Sequence, residues 1–254
     1  MPVQHLTGII MKDRYVPEGK IPLVAACDIE STLTPVEGWD FLAEMQSPEI
    51  QAEIRKITNQ AMNGEISFEE ALRKRFDIIN PGLCEIKILQ DEYLRSINKD
   101  VVGLINFLRA KFARVVLISG GLEDALLPLA KALEIPREDL FSIPLTKQGQ
   151  LPATHNLYRP DGKKIVLGRI IAEEKRKRDS QNKTSYHNIM IGDGMTDARC
   201  KGSDVTFIAI GNREKVIKAA DFHIETLGEI YPLILNPYSH EQIRIQAGEA
   251  DCAR

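Results

Sequence analysis

Four short apolar runs constrain this chain more than any other feature. They are Leu23-Val24-Ala25-Ala26-Cys27, Val115-Val116-Leu117-Ile118, Ile189-Met190-Ile191 and Val205-Thr206-Phe207-Ile208-Ala209-Ile210. Each is continuous rather than alternating, as expected of a strand buried on both faces. Each is followed by Gly, Ser or Asp and then by a helical stretch. Strands alternating with helices predict a doubly wound α/β fold, a parallel sheet covered on both faces. In such sheets ligands bind beyond the carboxyl ends of the strands, so the residues trailing each run are the first place to look for chemistry.

At 254 residues the chain fits one sizeable α/β domain or a core with a smaller insert. Residues 38–99 read as that insert: Ile50–Ile57 and Phe68–Phe76 carry helical periodicity with charged faces, and no buried strand interrupts them. The expected division is an N-terminal extension (1–20, ending in Val16-Pro17-Glu18-Gly19), a core (21–37 and 100–235), a helical cap (38–99) and a polar tail (236–254). A net charge of −3 argues against a dedicated nucleic-acid binder. No apolar run approaches the roughly 18 residues of a membrane span, and the N-terminus lacks the pattern of a signal peptide. Cys27, Cys84, Cys200 and Cys252 are scattered and read as reduced thiols. A cytoplasmic protein without membrane or nucleic-acid partners is expected, with a homodimer left open.

The strand ends carry a coherent set. Asp28-Ile29-Glu30-Ser31-Thr32 follows the first run, Ser119-Gly120-Gly121 the second, and Gly192-Asp193-Gly194-Met195-Thr196-Asp197 the third. A basic pair, Lys163-Lys164, opens the helix between the second and third. Each piece alone reads as a cap or a turn. Together they supply what phosphate-ester hydrolysis needs. A carboxylate can attack phosphorus to give an aspartyl phosphate. A hard cation such as Mg²⁺, shared by Asp28 and Asp193, bridges nucleophile and phosphate. Ser119 and the glycine amides offer donors to the phosphoryl oxygens, and a lysine cancels the remaining charge.

These segments, CDIESTLTPVEG (27–38), VVLISGG (115–121), DGKKIVLGRII (161–171) and IMIGDGMTD (189–197), resemble the haloacid dehalogenase superfamily of phosphohydrolases, and within it the phosphoserine phosphatases. In the insert, AMNGEISFEEALRKR (61–75) resembles their cap. The resemblance covers roughly residues 22–235. It implies Asp28 as nucleophile, Glu30 as general acid/base with its carbonyl on the metal, Asp193 as a metal ligand and Asp197 as the carboxylate that orients lysine and metal. It implies Lys163 as the charge-neutralising lysine, with Lys164 as the alternative if the register slips by one. Ser119, Gly120 and Thr196 fall on phosphate-binding positions. Glu37 and Arg75 fall where the substrate's amino and carboxylate groups are bound, and Met62 and Phe68 where apolar cap residues close over the site. The implied cofactor is Mg²⁺, and the implied partner is a small phosphorylated metabolite, phosphoserine first. Two alternatives stay open, a phosphatase or phosphotransferase for another small phosphate and a catalytically weakened binding protein.

Glu30 departs from the family, which usually has Asp there. Pro128, in the helix after the second strand, predicts an early end or a kink. For Phe141–Pro160 the sequence leaves a hairpin excursion over the site open. His5, His155, His187, His223 and His240 show no metal-ligand spacing and read as surface or loop residues. The run Glu173–Arg178 reads as the basic end of a solvated helix.

Overall fold

The computed structural model describes residues 20–62, 65–178 and 185–235, with the side chain of Met62 outside that set. Met62 therefore receives no structural account as a cap residue, and neither do the terminal segments, His5, His240 and Cys252.

The described strands are β1 (Ile21–Cys27), β2 (Arg114–Leu122), β3 (Leu140–Ile143), β4 (Tyr186–Gly192), β5 (Val205–Ile210) and β6 (Phe222–Ile224). They form one six-stranded sheet of order β3-β2-β1-β4-β5-β6, with every neighbouring pair parallel. The first described strand is central, and the chain winds outward from it through β2 and β3 and returns to β4 beside β1. The expected doubly wound α/β class is the observed one. The switch in winding direction falls between β1 and β4, where Cys27 pairs with Ile191. That register puts the segments beginning at Asp28 and Asp193 side by side at the crevice such sheets use for ligands.

The central strands are apolar because they have no solvent face. Leu23 through Cys27 and Val116 through Ile118 are fully buried. The Cys27 thiol is pushed up to about 12 by burial, then by the charge of Asp28, and so stays protonated. A buried Asn188 in β4 is tolerated because both ends of its amide are used. Oδ1 accepts from the Val24 amide at 3.1 Å and Nδ2 donates to the Asp204 carbonyl at 2.9 Å, beside a break in the β1–β4 register.

Helices α1 (Gly38–Glu44), α2 (Pro48–Met62), α3 (Phe68–Ile79), α4 (Leu83–Arg95) and α5 (Val101–Lys111) lie between β1 and β2. Ser67 caps α3 by accepting from the Glu70 amide at 3.1 Å, and Asn80 closes it in the left-handed conformation. Leu42, Ile54, Leu72, Phe76 and Leu89 fill the space among these helices, with Trp39 edge-on to Phe76 at 6.2 Å. Helices α6 (Glu123–Ala132), α7 (Gly162–Arg178), α8 (Met195–Ala198), α9 (Glu214–Ala219) and α10 (Ile230–Leu235) complete the described α-helices. No helix among the described residues is long and apolar enough to cross a membrane.

Several expectations are corrected. Strands β3 and β6 were not anticipated. Phe141–Pro160 forms no hairpin strand: Phe141 lies within β3, and a tight turn at Thr146–Gln150 and a 3₁₀ turn at Asn156–Tyr158 follow. Helix α6 runs through Pro128 to Ala132 without ending early. Proline has no N–H to offer the carbonyl four residues back, and that carbonyl, of Asp124, instead accepts Gln90 Nε2 from α4 at 2.8 Å. His187 is neither surface nor loop, being buried in β4, whereas His223 is a half-buried residue of β6.

Candidate active site

Asp28 is the first residue past β1, and its amide extends the strand pairing by donating to the Ile191 carbonyl at 2.8 Å. Its Oδ1 accepts from the Ile29 amide at 2.8 Å and lies 2.7 Å from Lys163 Nζ. The chain then turns sharply, with Ser31 in the left-handed region at φ 52°. Non-glycine residues take that conformation at a cost and cluster at functional turns.

Lys163 enters from α7. Gly162 lets that helix start hard against the 3₁₀ turn, since a Cβ there would stand 2.2 Å from the Asn156 carbonyl oxygen. Lys163 is thereby buried, its Nζ equidistant, at 2.7 Å, from Asp28 and Asp197. Burial opposes its charge, but the two carboxylates outweigh burial and hold it protonated well above the ordinary lysine range. Lys164 faces solvent.

Asp193 follows β4 and Asp197 lies in α8. Both oxygens of Asp197 are committed, Oδ1 to Lys163 and Oδ2 to the Gly194 amide at 3.0 Å. Burial, then the charge of Asp28, push its pKa upward, and Lys163 pulls it back. Asp193 is pushed up to about 6, chiefly by burial and then by Asp28. Asp28, Asp193 and Asp197 are all buried and offer carboxylate oxygens within 4.8 Å of one another. Such an all-oxygen set of crowded anions suits a hard divalent cation, which relieves the repulsion that raises Asp193. With Asp197 held by Lys163 and Gly194, Asp28 and Asp193 are the carboxylates available to it.

Glu30 is buried. Its Oε1 accepts from the Gly38 amide at 2.7 Å and the Tyr93 hydroxyl at 2.6 Å, and its Oε2 from Ser119 Oγ at 3.1 Å. Burial, then the charge of Glu37, lift its pKa to about 7 against the lowering effect of the Tyr93 and Gly38 bonds. A carboxyl poised there can donate a proton in one step and accept one in the next. Ser119, at the end of β2, also accepts from the Gly121 amide at 3.0 Å. Gly120 is half-buried under α3, where a Cβ would touch Phe68 Cζ at 4.0 Å. Thr196 opens α8, half-buried, on the same rim as Asp193.

The insert helices reach this centre. Glu37 accepts from Ser31 Oγ at 2.6 Å. Arg75, on α3, has a buried Nε without a hydrogen-bond partner. Burial pulls its pKa down, opposed by the nearby charges of Asp40, Glu30 and Glu37. Arg73 keeps α3 docked: its Nη2 donates to the carbonyls of Pro152 (3.2 Å) and Ala153 (2.6 Å), and its guanidinium stacks 4.8 Å above the Tyr158 ring.

Two residues escaped sequence reasoning. Arg213 Nη1 lies 3.0 Å from Asp193 Oδ2, and its Nη2 3.6 Å from Glu37. The rule of inspecting residues after each apolar run, applied to Gly211-Asn212-Arg213 behind the fourth, would have found it. Tyr93 gives no such signal, since it lies on α4, 63 positions from Glu30.

A parallel sheet with a lysine-paired aspartate after β1, a serine in the last residues of β2 and a second carboxylate after β4 defines a phosphatase of the haloacid dehalogenase type. No family model matches the chain. It is 30% identical over 220 residues to the phosphoserine phosphatase of Rattus norvegicus, covering 81% of this chain and 92% of that one. It is 32% identical over 216 residues to the chloroplastic phosphoserine phosphatase of Arabidopsis thaliana, covering 79% and 68%. Among solved structures, a phosphoserine phosphohydrolase-like protein from Francisella tularensis superposes with a TM-score of 0.62 at 29% identity, covering 84% and 99%. The chain belongs to the phosphoserine phosphatase family.

Proposed function

We propose that this protein hydrolyses O-phosphoserine to serine and phosphate with Mg²⁺ as cofactor. The observation that carries the substrate is Arg75, a buried guanidinium with an unpartnered Nε held among Asp40, Glu37 and the general acid/base Glu30. Phosphoserine brings a carboxylate to pair with Arg75 and an ammonium to meet Glu37, and the charge-assisted pairing discriminates against esters lacking those groups.

Both partners of Asp28 meet Oδ1, so Oδ2 is the attacking oxygen. It forms a bond to phosphorus as the ester P–O bond breaks, and the Glu30 carboxyl gives its proton to the departing oxygen, which leaves as the neutral alcohol. A water then attacks the aspartyl phosphate, its proton passes to Glu30, and phosphate departs with Asp28 restored as carboxylate. Lys163 stays protonated throughout and faces the negative charge Asp28 carries into the reaction. Ser119 and the Gly120 amide, at the carboxyl-terminal part of β2, supply donors to the phosphoryl oxygens, while the Gly121 amide holds Ser119 Oγ in place. Asp28, Asp193 and the Glu30 carbonyl would hold the Mg²⁺. Bound, it neutralises phosphoryl charge so that one anion can approach another. Phe68 and Arg75 close the site from the insert, excluding water while the acyl phosphate exists. Glu69 and Arg73 sit outside this centre, anchoring α3. A cytoplasmic location fits a reaction that supplies free serine.

The test is phosphate release with Mg²⁺ from L-phosphoserine, phosphothreonine and an aryl phosphate. Turnover led by phosphoserine, with KM for it alone raised ten- to a hundredfold in Arg75→Ala, is expected. An Arg75→Ala enzyme with unchanged KM for phosphoserine would remove the substrate assignment.

A further inference from the structure

Glu30 is one methylene longer than the aspartate its position usually holds, so its carboxyl needs a place to reach. The structure provides one. Tyr93, fully buried on α4, donates its hydroxyl to Oε1 at 2.6 Å, and the Gly38 amide donates to the same oxygen at 2.7 Å. On the other side, a Cβ on Gly121 would stand 2.8 Å from Oε2, so the missing side chain is the room that oxygen occupies. A Cβ on Gly38 would meet the Tyr93 hydroxyl at 2.2 Å and Oε1 at 2.7 Å. Glu30 is thus gripped at Oε1 by two donors, whereas Oε2 meets the single hydroxyl of Ser119 in the space beside Gly121.

We propose that Tyr93 is a positioning residue which, with Gly38, anchors Oε1 of Glu30 and thereby makes Oε2 the oxygen that exchanges the proton with the leaving group. This rests on the reading of Glu30 as general acid/base. An oxygen that already accepts two hydrogen bonds is the carbonyl-like one, so in the protonated carboxyl the hydrogen sits on Oε2. Oε2 faces Ser119 Oγ at 3.1 Å, on the side of the phosphate-binding strand end. The arrangement also predicts that restoring aspartate at this position harms the enzyme, because the shorter side chain abandons both anchors.

The test is rapid-quench measurement of leaving-group release in a single turnover, comparing phosphoserine with nitrophenyl phosphate, whose leaving group departs without protonation. The variants are Tyr93→Phe, Glu30→Asp, their combination and Glu30→Gln. Losing one hydrogen bond to a carboxyl predicts serine release slowed about ten- to a hundredfold in Tyr93→Phe, with nitrophenol release changed less than about threefold and KM unmoved. In the Glu30→Asp background, Tyr93→Phe should cost far less, since aspartate cannot reach the hydroxyl. Equal slowing of both substrates, or the same cost in both backgrounds, would make Tyr93 a packing residue only and overturn the proposal. The acid/base reading fails separately, if Glu30→Gln slows both substrates alike; the proposal alone fails if Glu30→Gln shows the leaving-group dependence and Tyr93→Phe does not.

Discussion

Lys163 Nζ stands 2.7 Å from Asp28 Oδ1 in a buried position, and its only other carboxylate partner among the described residues is Asp197. The ion pair is thus part of a buried three-membered cluster. Removing its cation leaves two buried carboxylates uncompensated, which costs roughly 3–5 kcal/mol. Lys163→Met should lose that much stability in urea melts and all measurable phosphate release. Lys164→Met, on the solvent side of the same helix, should stay within about 0.5 kcal/mol and keep its activity. The reverse pattern would mean that the register of α7 is off by one.

His187 predicts an acid weakness unrelated to catalysis. Burial, then the charge of Lys20, lower its pKa from 6.5 to about 4. The unfolded chain therefore takes up a proton below about pH 6.5 that the folded chain refuses until about pH 4. This contribution to stability is intact above pH 6.5 and is lost as pH falls through that window. The full effect is at most about 3 kcal/mol. Urea melts at pH 7.5 and pH 5 should show a drop in stability in the parent chain that is smaller in His187→Gln. Equal drops would remove His187 as the cause.

The parts of this molecule that could be read from the sequence are those fixed by local pattern. β1, β2, β4 and β5 announce themselves because strands buried on both faces must be apolar throughout. The residues just past them were legible because parallel sheets place their chemistry there. β3 and β6 are four and three residues long, too short for a period, and hold their places by pairing with the longer strands β2 and β5. Pro128 does not end α6 because the carbonyl it frees is satisfied by Gln90, which lies 34 positions from Asp124. Tyr93 was invisible for the same reason: only the packing of α4 brings it to Glu30.

Arg213 bears on the metal. Its guanidinium lies on Asp193 Oδ2 at 3.0 Å, an oxygen of the carboxylate a divalent cation would use, and its side chain is 58% exposed. Ion and arginine compete for one partner, so Arg213→Ala should bind Mg²⁺ more tightly. The gain is bounded by the strength of an exposed pair, about 0.2–1 kcal/mol, or up to about fivefold in Kd. Isothermal titration calorimetry of the two proteins measures this directly. Weaker binding in the variant would instead mean that Arg213 helps to assemble the site.

Glu30, lifted to about 7, sets the pH dependence of the first chemical step. The acid form donates the proton, and its fraction falls tenfold per pH unit once the pH exceeds the pKa. Serine release in a single turnover should therefore decline above about pH 7, whereas nitrophenol release should stay level. A shared decline would assign the ionisation to another group.

The central claim is that Asp28 carries the phosphoryl group. Acid-quenching the enzyme during turnover of phosphoserine, reducing it with borohydride and mapping the peptides by mass spectrometry tests this most directly, because borohydride converts an acyl phosphate to the alcohol and leaves a free carboxylate alone. The account predicts homoserine at position 28, dependent on substrate and absent when Asp28→Asn is treated alike. Conversion at another carboxylate, or phosphate release undiminished in Asp28→Asn, would contradict it.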